Sequence, residues 1–374
     1  MATDASAHRE KTFAEVKRIS SVGLDGLELL RQTTERLRLS IPFEGYGIGT
    51  LDPATNLMTN FVAYGIGEES LGEATNVYLD RVYFEEELER ITSMLRERRP
   101  VELLSETSGG KLESRLLYRE FLKPLGFGYG LGSVFADGGA WGAMALVRKA
   151  GGPDFSSRDA ELVRRVVSHV GAGLKAAVLR SRASVESAED DAPGVLTLDC
   201  SGRVVSHTLS AERLLSELEE LGPFWRERDL PIPVGMVANA VRRALSPESD
   251  RDLNLVPRLC LRARSGRWLT LHASLTETAS GCAPETVIVI EPSRPEEVAW
   301  LNAAAHGLSP REEEVVKLVV RGLSTRQISR TLFISENTVQ RHLSNVFEKV
   351  GVRSRRELVK RLFFDNLLPG MLGD

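Results

Sequence analysis

The sequence predicts a multidomain α+β protein: two α/β units followed by an all-α unit of four short helices. Three observations carry this. The chain has 374 residues, two to three times a domain of about 150. Strand-like runs closed by turn residues alternate with helical periodicity as far as about residue 292, and only helical patterns follow. Composition shifts at 183–192 and 293–306 divide the chain. At 42% hydrophobic and 27% charged residues, wholesale disorder is excluded. No apolar run approaches about 18 residues, so a membrane is not an expected partner. Residues 1–11 are polar and lack the apolar core of a secretory signal, which makes the cytoplasm the expected location. The three cysteines, Cys200, Cys260 and Cys282, are widely spaced with no CxxC pair, which argues against a disulfide framework or a structural zinc site.

The first unit spans 20–182. Leu27, Leu30, Thr34 and Leu37 have helical spacing. Strand-like runs at 46–51 and 57–64 flank the Asp52-Pro53 turn. Residues 83–98 and 112–122 read as helices, and 130–135 with 140–148 as a hairpin around Asp137-Gly138-Gly139. A long helix at 155–182 closes the unit, with Ser156 or Ser157 as N-cap. It carries two apolar stripes. Val163, Val167, Val170 and Leu174 are expected to form a seam with a second copy of the chain, because a helix lying on one sheet needs only one stripe. A wide face buried wholly within one domain fits the same pattern.

Residues 183–192 read as an acidic, small-residue linker. The second unit spans 193–292: a hairpin at 195–199 and 203–207 around Ser201-Gly202, helices at 211–221 and 235–245, then strands at 253–264, 267–276 and 286–290. In the second of these strands Leu269, Leu271, Ala273 and Leu275 share one face. A Pro-marked connector helix at 293–306 leads to the last unit, 307–368.

That unit is basic. Residues 308–364 hold twelve Lys or Arg against six Asp or Glu, a charge of +6, which leaves −10 on the remainder of a chain of net charge −4. A basic end on an acidic body suits contact with phosphates at that end. Ser309-Pro310 opens one helix, Gly322 ends it, Ser324 or Thr325 opens a second, and Ser335 caps a third. The third buries Val339, Leu343, Val346 and Phe347, and turns Asn337, Arg341, Ser344, Asn345 and Glu348 to the opposite face, flanked by Thr338 and Gln340. Two short helices joined by a tight turn, the second presenting polar side chains, have helix-turn-helix geometry. Gln340 suits adenine and Arg341 suits guanine. Thr338 suits phosphate, and Asn337 and Ser344 complete the DNA-facing set. Arg353, Ser354, Arg355 and Arg356 are expected backbone anchors, although any one of these arginines also reads as a solvated surface residue.

Leu308, Arg311, Glu312, Gly322, Ile328, Leu332, Ser335, Thr338, Val339, His342, Lys349 and Ser354 stand at positions that make this end resemble the LuxR-type DNA-binding domain over about 65 residues. The resemblance implies that the third helix enters the major groove. Ser344 stands where a Lys is frequent. In outline, residues 20–182 resemble a GAF domain and 193–292 a PAS domain, both α/β sensor modules. Tyr46, Phe61, Tyr64, Tyr83, Phe127 and Trp141, with Tyr78 and Phe84, would line an apolar ligand pocket in the first, or serve as ordinary core. No Cys lies in residues 20–182 to anchor a bilin, and His169 reads as a packed residue rather than a haem ligand. No cofactor, metal site or catalytic residue is expected.

These readings describe a one-component, sequence-specific transcription regulator that binds double-stranded DNA as a homodimer. A small-molecule effector would switch it, and RNA polymerase would be a partner if it activates. A constitutive dimeric regulator whose front domains only dimerise or bind partner proteins is the alternative. A phosphorylation-switched response regulator is disfavoured, because the first 180 residues lack a receiver's acidic pair, acceptor Asp and distal Lys. So is an enzyme with a DNA-binding tail, since no Ser-His-Asp elbow, metal-spaced cluster or phosphate loop is present.

Overall fold

The computed structural model describes residues 2–66, 77–180, 192–218, 230–244, 257–276, 284–293, 306, 308–359 and 361. The linker at 183–192 and the connector helix at 293–306 lie almost wholly outside the described residues. Helix α1 (Ala2–Ile19) opens the chain, ahead of the expected start of the first unit at residue 20. Its apolar residues are sparse, but Phe13, Val16 and Ile19 recur at helical spacing, and the last two are buried. Asp25 caps α2 (Gly26–Arg38) by accepting the Leu27 N–H, and Leu29, Leu30, Thr33, Thr34 and Leu37 form its buried face.

Strands β1 (Gly45–Leu51) and β2 (Met58–Tyr64) form the first hairpin. With β3 (Val101–Leu103), β4 (Phe127–Ala136) and β5 (Ala140–Lys149) they make a five-stranded antiparallel sheet in the order β2-β1-β5-β4-β3. The β4–β5 turn needs positive φ at Gly138 (77°), which glycine adopts without strain. Between β2 and β4 the helices are irregular. A π-helical stretch, Tyr78–Glu87, runs into α3 (Leu88–Glu97), where one helix at 83–98 is the sequence expectation. After α4 (Leu104–Thr107), the expected helix at 112–122 is a 3₁₀ turn, Leu112–Ser114, and a π-helical turn, Leu117–Leu122.

Helix α5 (Ser157–Arg180) closes the unit. It packs on β4 and β5, while α1 and α2 pack against it. This corrects the expected pairing seam. Val163, Val167, Val170 and Leu174 are at most 5% exposed, inside one cluster with Val16, Leu29, Leu30, Phe135 and Met144. The helix needs two apolar faces because it lies between a sheet and two helices of its own chain. No side of those four residues is left for a second copy.

The second unit repeats the sheet plan. Strands β6 (Gly194–Leu198), β7 (Val204–His207), β8 (Arg258–Arg262), β9 (Trp268–Leu275) and β10 (Thr286–Pro292) form an antiparallel sheet in the order β7-β6-β10-β9-β8. The Asp199 carboxylate fixes the β6–β7 turn by accepting the Ser201 and Arg203 amides. Helices α6 (Leu209–Ser216) and α7 (Ile232–Ala244) supply Leu214, Leu215, Val234, Val237 and Val241 to a core shared with Leu269, Leu271 and Ile288. On β9, Leu269, Leu271 and Ala273 are buried as their alternation predicts. Trp268 and Thr270 on the other face are also buried, which a simple solvent face would not produce. Trp268 lies where the second unit meets the first, and the Thr270 hydroxyl bonds that of Ser293 at 2.8 Å. Helix α7 packs on β2 and on the π-helical stretch, Arg243 pairs with Glu85 at 3.0 Å, and the Cys260 amide donates to the Asp52 carboxylate at 3.3 Å.

Four helices follow: α8 (Pro310–Val320), α9 (Thr325–Leu332), α10 (Glu336–Val350) and α11 (Arg355–Val359). Val315, Val316, Ile328, Val339, Leu343, Val346 and Leu358 meet in a separate small core.

Candidate nucleic-acid interface and ligand cavities

Each helix of the basic unit is started by its own side chains. The Ser309 hydroxyl accepts the Glu312 amide, and the Glu312 carboxylate accepts the Ser309 amide at 2.7 Å, with Pro310 in the first turn. Ser324 and Gln327 repeat the device on α9. Ser335 caps α10 by accepting the Thr338 amide, and Gly351 at φ 71° ends it. The buried Glu312 carboxylate also holds the Lys349 ammonium at 2.6 Å, tying the start of α8 to the end of α10. Burial pushes this carboxyl up, but the bonds from Lys349 and Ser309 outweigh it and hold it below the ordinary carboxylate range.

The α9–α10 turn passes through Phe333 at φ 53°, with its side chain 95% exposed. It leaves one face of α10 open. Asn337, Gln340, Arg341, Ser344 and Asn345 are exposed along it, and Val339, Leu343 and Val346 are buried behind. Gln340 lies 3.4 Å from the Thr325 hydroxyl at the start of α9, so the two helix N-termini open onto one surface. Arg326 and Arg330 of α9 are exposed as well. Neither figures among the expected DNA residues, although the charge count includes both, and their place on the helix preceding α10 is the signal that would find them. Thr338 is half-buried, its hydroxyl engaged with Ser335 at 2.8 Å. Ser344 bonds the Gln340 carbonyl.

The four expected backbone anchors separate. Arg353 and Arg356 are exposed. The Ser354 hydroxyl instead accepts the Glu357 amide at the start of α11. Arg355 is half-buried and donates to the Leu323 carbonyl at 3.2 Å, with Nε and Nη2 buried without a partner among the described residues. Burial lowers the pKa of this guanidinium. Arg355 braces α11 against the end of α8 and is not a free phosphate anchor, because its charge points into protein.

The six aromatics expected to line one pocket are dispersed. Tyr46 lies on the helix-covered side of the first sheet, stacked on Tyr64 at 5.7 Å with Arg38 over both rings. Trp141 is on the same side and donates to the Asp137 carbonyl. Tyr83 donates to the Asn56 carbonyl, and Phe127 is sealed in the opposite core. Phe61 alone of the six lines the cavity on that opposite face, a space of about 60 Å³ also bounded by Gly47, Tyr78, Arg90, Glu102 and Gly132. Small residues on alternate strand positions make its floor, and a Cβ on Gly132 would come within 2.7 Å of the Arg90 guanidinium. Arg90 is held there by Glu87 at 2.7 Å and Glu102 at 3.4 Å. A larger cleft of about 320 Å³ lies between the two α/β units.

Among the described residues no group of three or more His, Cys, Asp or Glu side chains is placed to hold a metal ion, and no helix is long and apolar enough to cross a membrane. The profile of a family described as bacterial regulatory proteins, luxR family, matches residues 306–362. The spore germination protein GerE of Bacillus subtilis is 46% identical over 55 residues, 15% of this chain and 74% of that protein. The CsgBAC operon transcriptional regulatory protein of Escherichia coli is 46% identical over 52 residues, 14% of this chain and 24% of its own length. A Mycobacterium tuberculosis protein named as an HTH-type transcriptional regulator, Rv0890c, is 50% identical over 52 residues, and this chain spans only 6% of its length. Among solved structures, a Vibrio cholera VqmA–ligand–DNA complex matches at 17% identity and a TM-score of 0.20, over 48% of this chain and 85% of that one.

Proposed function

The chain belongs, through its C-terminal residues, to the luxR family of bacterial regulatory proteins, and from that premise we propose that it is a one-component, sequence-specific transcription regulator. The observation that carries this is the open polar face of α10, bounded by two capped helix N-termini on a basic unit. Asn337, Gln340, Arg341 and Ser344 read base edges, and Thr338, Arg353 and Arg356 position the helix on phosphates, with Arg326 and Arg330 added. Residues 307–368 form the DNA-binding domain, 20–182 a GAF-like sensor joined by α1, and 193–292 a PAS-like domain. The protein acts in the cytoplasm, is not an enzyme, and recruits RNA polymerase if it activates.

A single recognition helix reads too few base pairs to find a genomic site, so the working form is a homodimer on two half-sites. A small molecule in the sensor units alters DNA affinity by binding the DNA-competent arrangement differently from the incompetent one. Selection of randomised duplexes by the full chain tests the reading. A recurrent two-half-site motif is the expected result, with affinity that falls steeply as salt rises. Recovery of unrelated duplexes, or of none, would sink it.

A further inference from the structure

We propose, on the regulator reading above, that Phe333 is a DNA contact whose ring packs on the apolar rim of the major groove that receives α10. It adds an apolar contact to a set that is otherwise polar. Two costs mark the residue. Phe333 is the most exposed large apolar side chain among the described residues, 95% against 80% for Leu209. It also holds φ at 53°, the left-handed region, where a bulky side chain crowds its own backbone.

The fold does not require the ring. The turn is held through backbone groups: the Phe333 and Ile334 amides both donate to the Ser329 carbonyl, the Ser329 hydroxyl donates to the Ile334 carbonyl, and Arg311 donates to the Leu332 carbonyl at 3.2 Å. Gly322 and Gly351 take positive φ after α8 and α10, and glycine would serve here equally well. A strained residue kept where its surroundings hold it points to function, and its place says which. Phe333 stands directly before Ile334 and the Ser335 cap of α10. Its Cα lies within about 14 Å of that of Asn337, the first residue on the open face, because that is the reach of the intervening chain. In helix-turn-helix binding the N-terminal residues of the second helix meet the base edges. A ring at that end therefore reaches the groove rim, where thymine methyl groups and deoxyribose carbons are the apolar surface. The neighbours favour DNA over a protein partner. Arg330, Thr331, Ser335, Glu336 and Asn337 are all exposed, so no wider apolar patch surrounds the ring.

Fluorescence anisotropy of the full chain on a duplex recovered by site selection tests the proposal, with Phe333→Asn and Phe333→Leu beside the parent. Asn tolerates the left-handed region and removes the ring, whereas Leu keeps an apolar group. Phe333→Asn should bind about tenfold more weakly, or about 1.4 kcal/mol, which is about what burying half of a phenyl ring returns. Phe333→Leu should stay within about threefold of the parent. The Asn variant should keep the parent's salt slope, since an apolar contact releases no counterion, and should melt no lower. A purely structural role would lower melting temperature and binding together. A duplex with uracil for thymine separates the two apolar surfaces: the Asn deficit vanishes if the ring meets a thymine methyl and persists if it meets a deoxyribose. Equal binding by parent and Phe333→Asn, a deficit that comes with a smaller salt slope or a lower melting temperature, or Leu no better than Asn would each overturn it. A parent that selects no duplex overturns the regulator reading and this contact with it. A parent that binds its duplex no better than Phe333→Asn does overturns the contact alone.

Discussion

Replacing Glu312 by Gln removes one charge from the most connected side chain of the basic unit and little else. The carboxylate is buried and answers both the Ser309 amide at 2.7 Å and the Lys349 ammonium at 2.6 Å. Gln keeps an oxygen for Ser309 but removes the charge through which Glu312 holds Lys349. The Lys349 side chain is 38% exposed, so water screens part of the pair. The loss should therefore fall between that of an exposed pair and that of a buried one, about 1–2 kcal/mol. Glu312→Ala also strands the Ser309 amide and should cost about 1 kcal/mol more. A unit of this size holds only about 3–8 kcal/mol in total, so either variant should visibly loosen it. Amide exchange at α8 and α10 reads the free energy locally, and a cycle with Lys349→Met isolates the coupling.

The same pair sets an acid limit. The folded-state pKa of Glu312 lies below its unfolded value. Its stabilising contribution is therefore complete above the unfolded value of about 4.3 and is lost as pH falls through the folded one. Glu312→Gln should lose less stability than the parent over that acid window. A coupling under about 0.3 kcal/mol, or parent and variant losing stability equally in acid, would refute the assignment of Glu312 as the clamp between α8 and α10.

Arg341→Ala and Gln340→Ala should each relax one base position by about 1–3 kcal/mol in binding-site selection, while Arg356→Ala should weaken all sequences alike and lower the salt slope by about one. Val167→Glu with Leu174→Glu should unfold the first unit, at a cost above about 4 kcal/mol, because both positions are core. A folded monomer in sedimentation would contradict that. Phe333→Gly should raise stability by about 1 kcal/mol in denaturant melts, since Phe333 sits at φ 53° with almost nothing packed on it. Burial raises the Asp52 pKa against the pull of its amide bonds, so its contribution to stability is greatest below the unfolded value of about 3.9 and is lost as pH rises. Asp52→Asn should therefore raise the melting temperature at neutral pH and change it less in acid.

The basic unit was legible because its rules are local. Ser309 with Glu312, Ser324 with Gln327, Gly322 and Gly351 each mark a helix end within four residues, and tertiary packing has no cause to override them. Arg355 was not legible, because whether an arginine beside three polar neighbours faces solvent or the Leu323 carbonyl depends on how α11 docks. In the first unit the aromatics were a poor guide, since an aromatic fills whichever face it meets. The informative residues were the small ones. Gly45, Gly47 and Gly49 alternate with Tyr46, Ile48 and Thr50 along β1, and strand period places the glycines together on the face that holds the small cavity. Read that way, Tyr46 is excluded from the cavity before any coordinates are known.

The long helix α5 shows a different limit. Leu162 and Val166 are buried beside Val163 and Val167, and a helix with two apolar faces needs two things to pack on. What periodicity cannot supply is the identity of the second. The missing partner includes α1, whose sequence hides its role because it covers α5 with few aliphatic side chains. Val16 and Ile19 enter the core, but Arg165 of α5 lies over the Phe13 ring at 4.2 Å, and Arg9 reaches the buried Asp159 carboxylate at 2.6 Å. Charged stems and a cation–π contact do the covering that leucines would do on a more obvious helix. A stripe of valines therefore specifies that something covers it. Whether the cover comes from the same chain turns on residues far away in sequence, here the first nineteen, which are mostly polar.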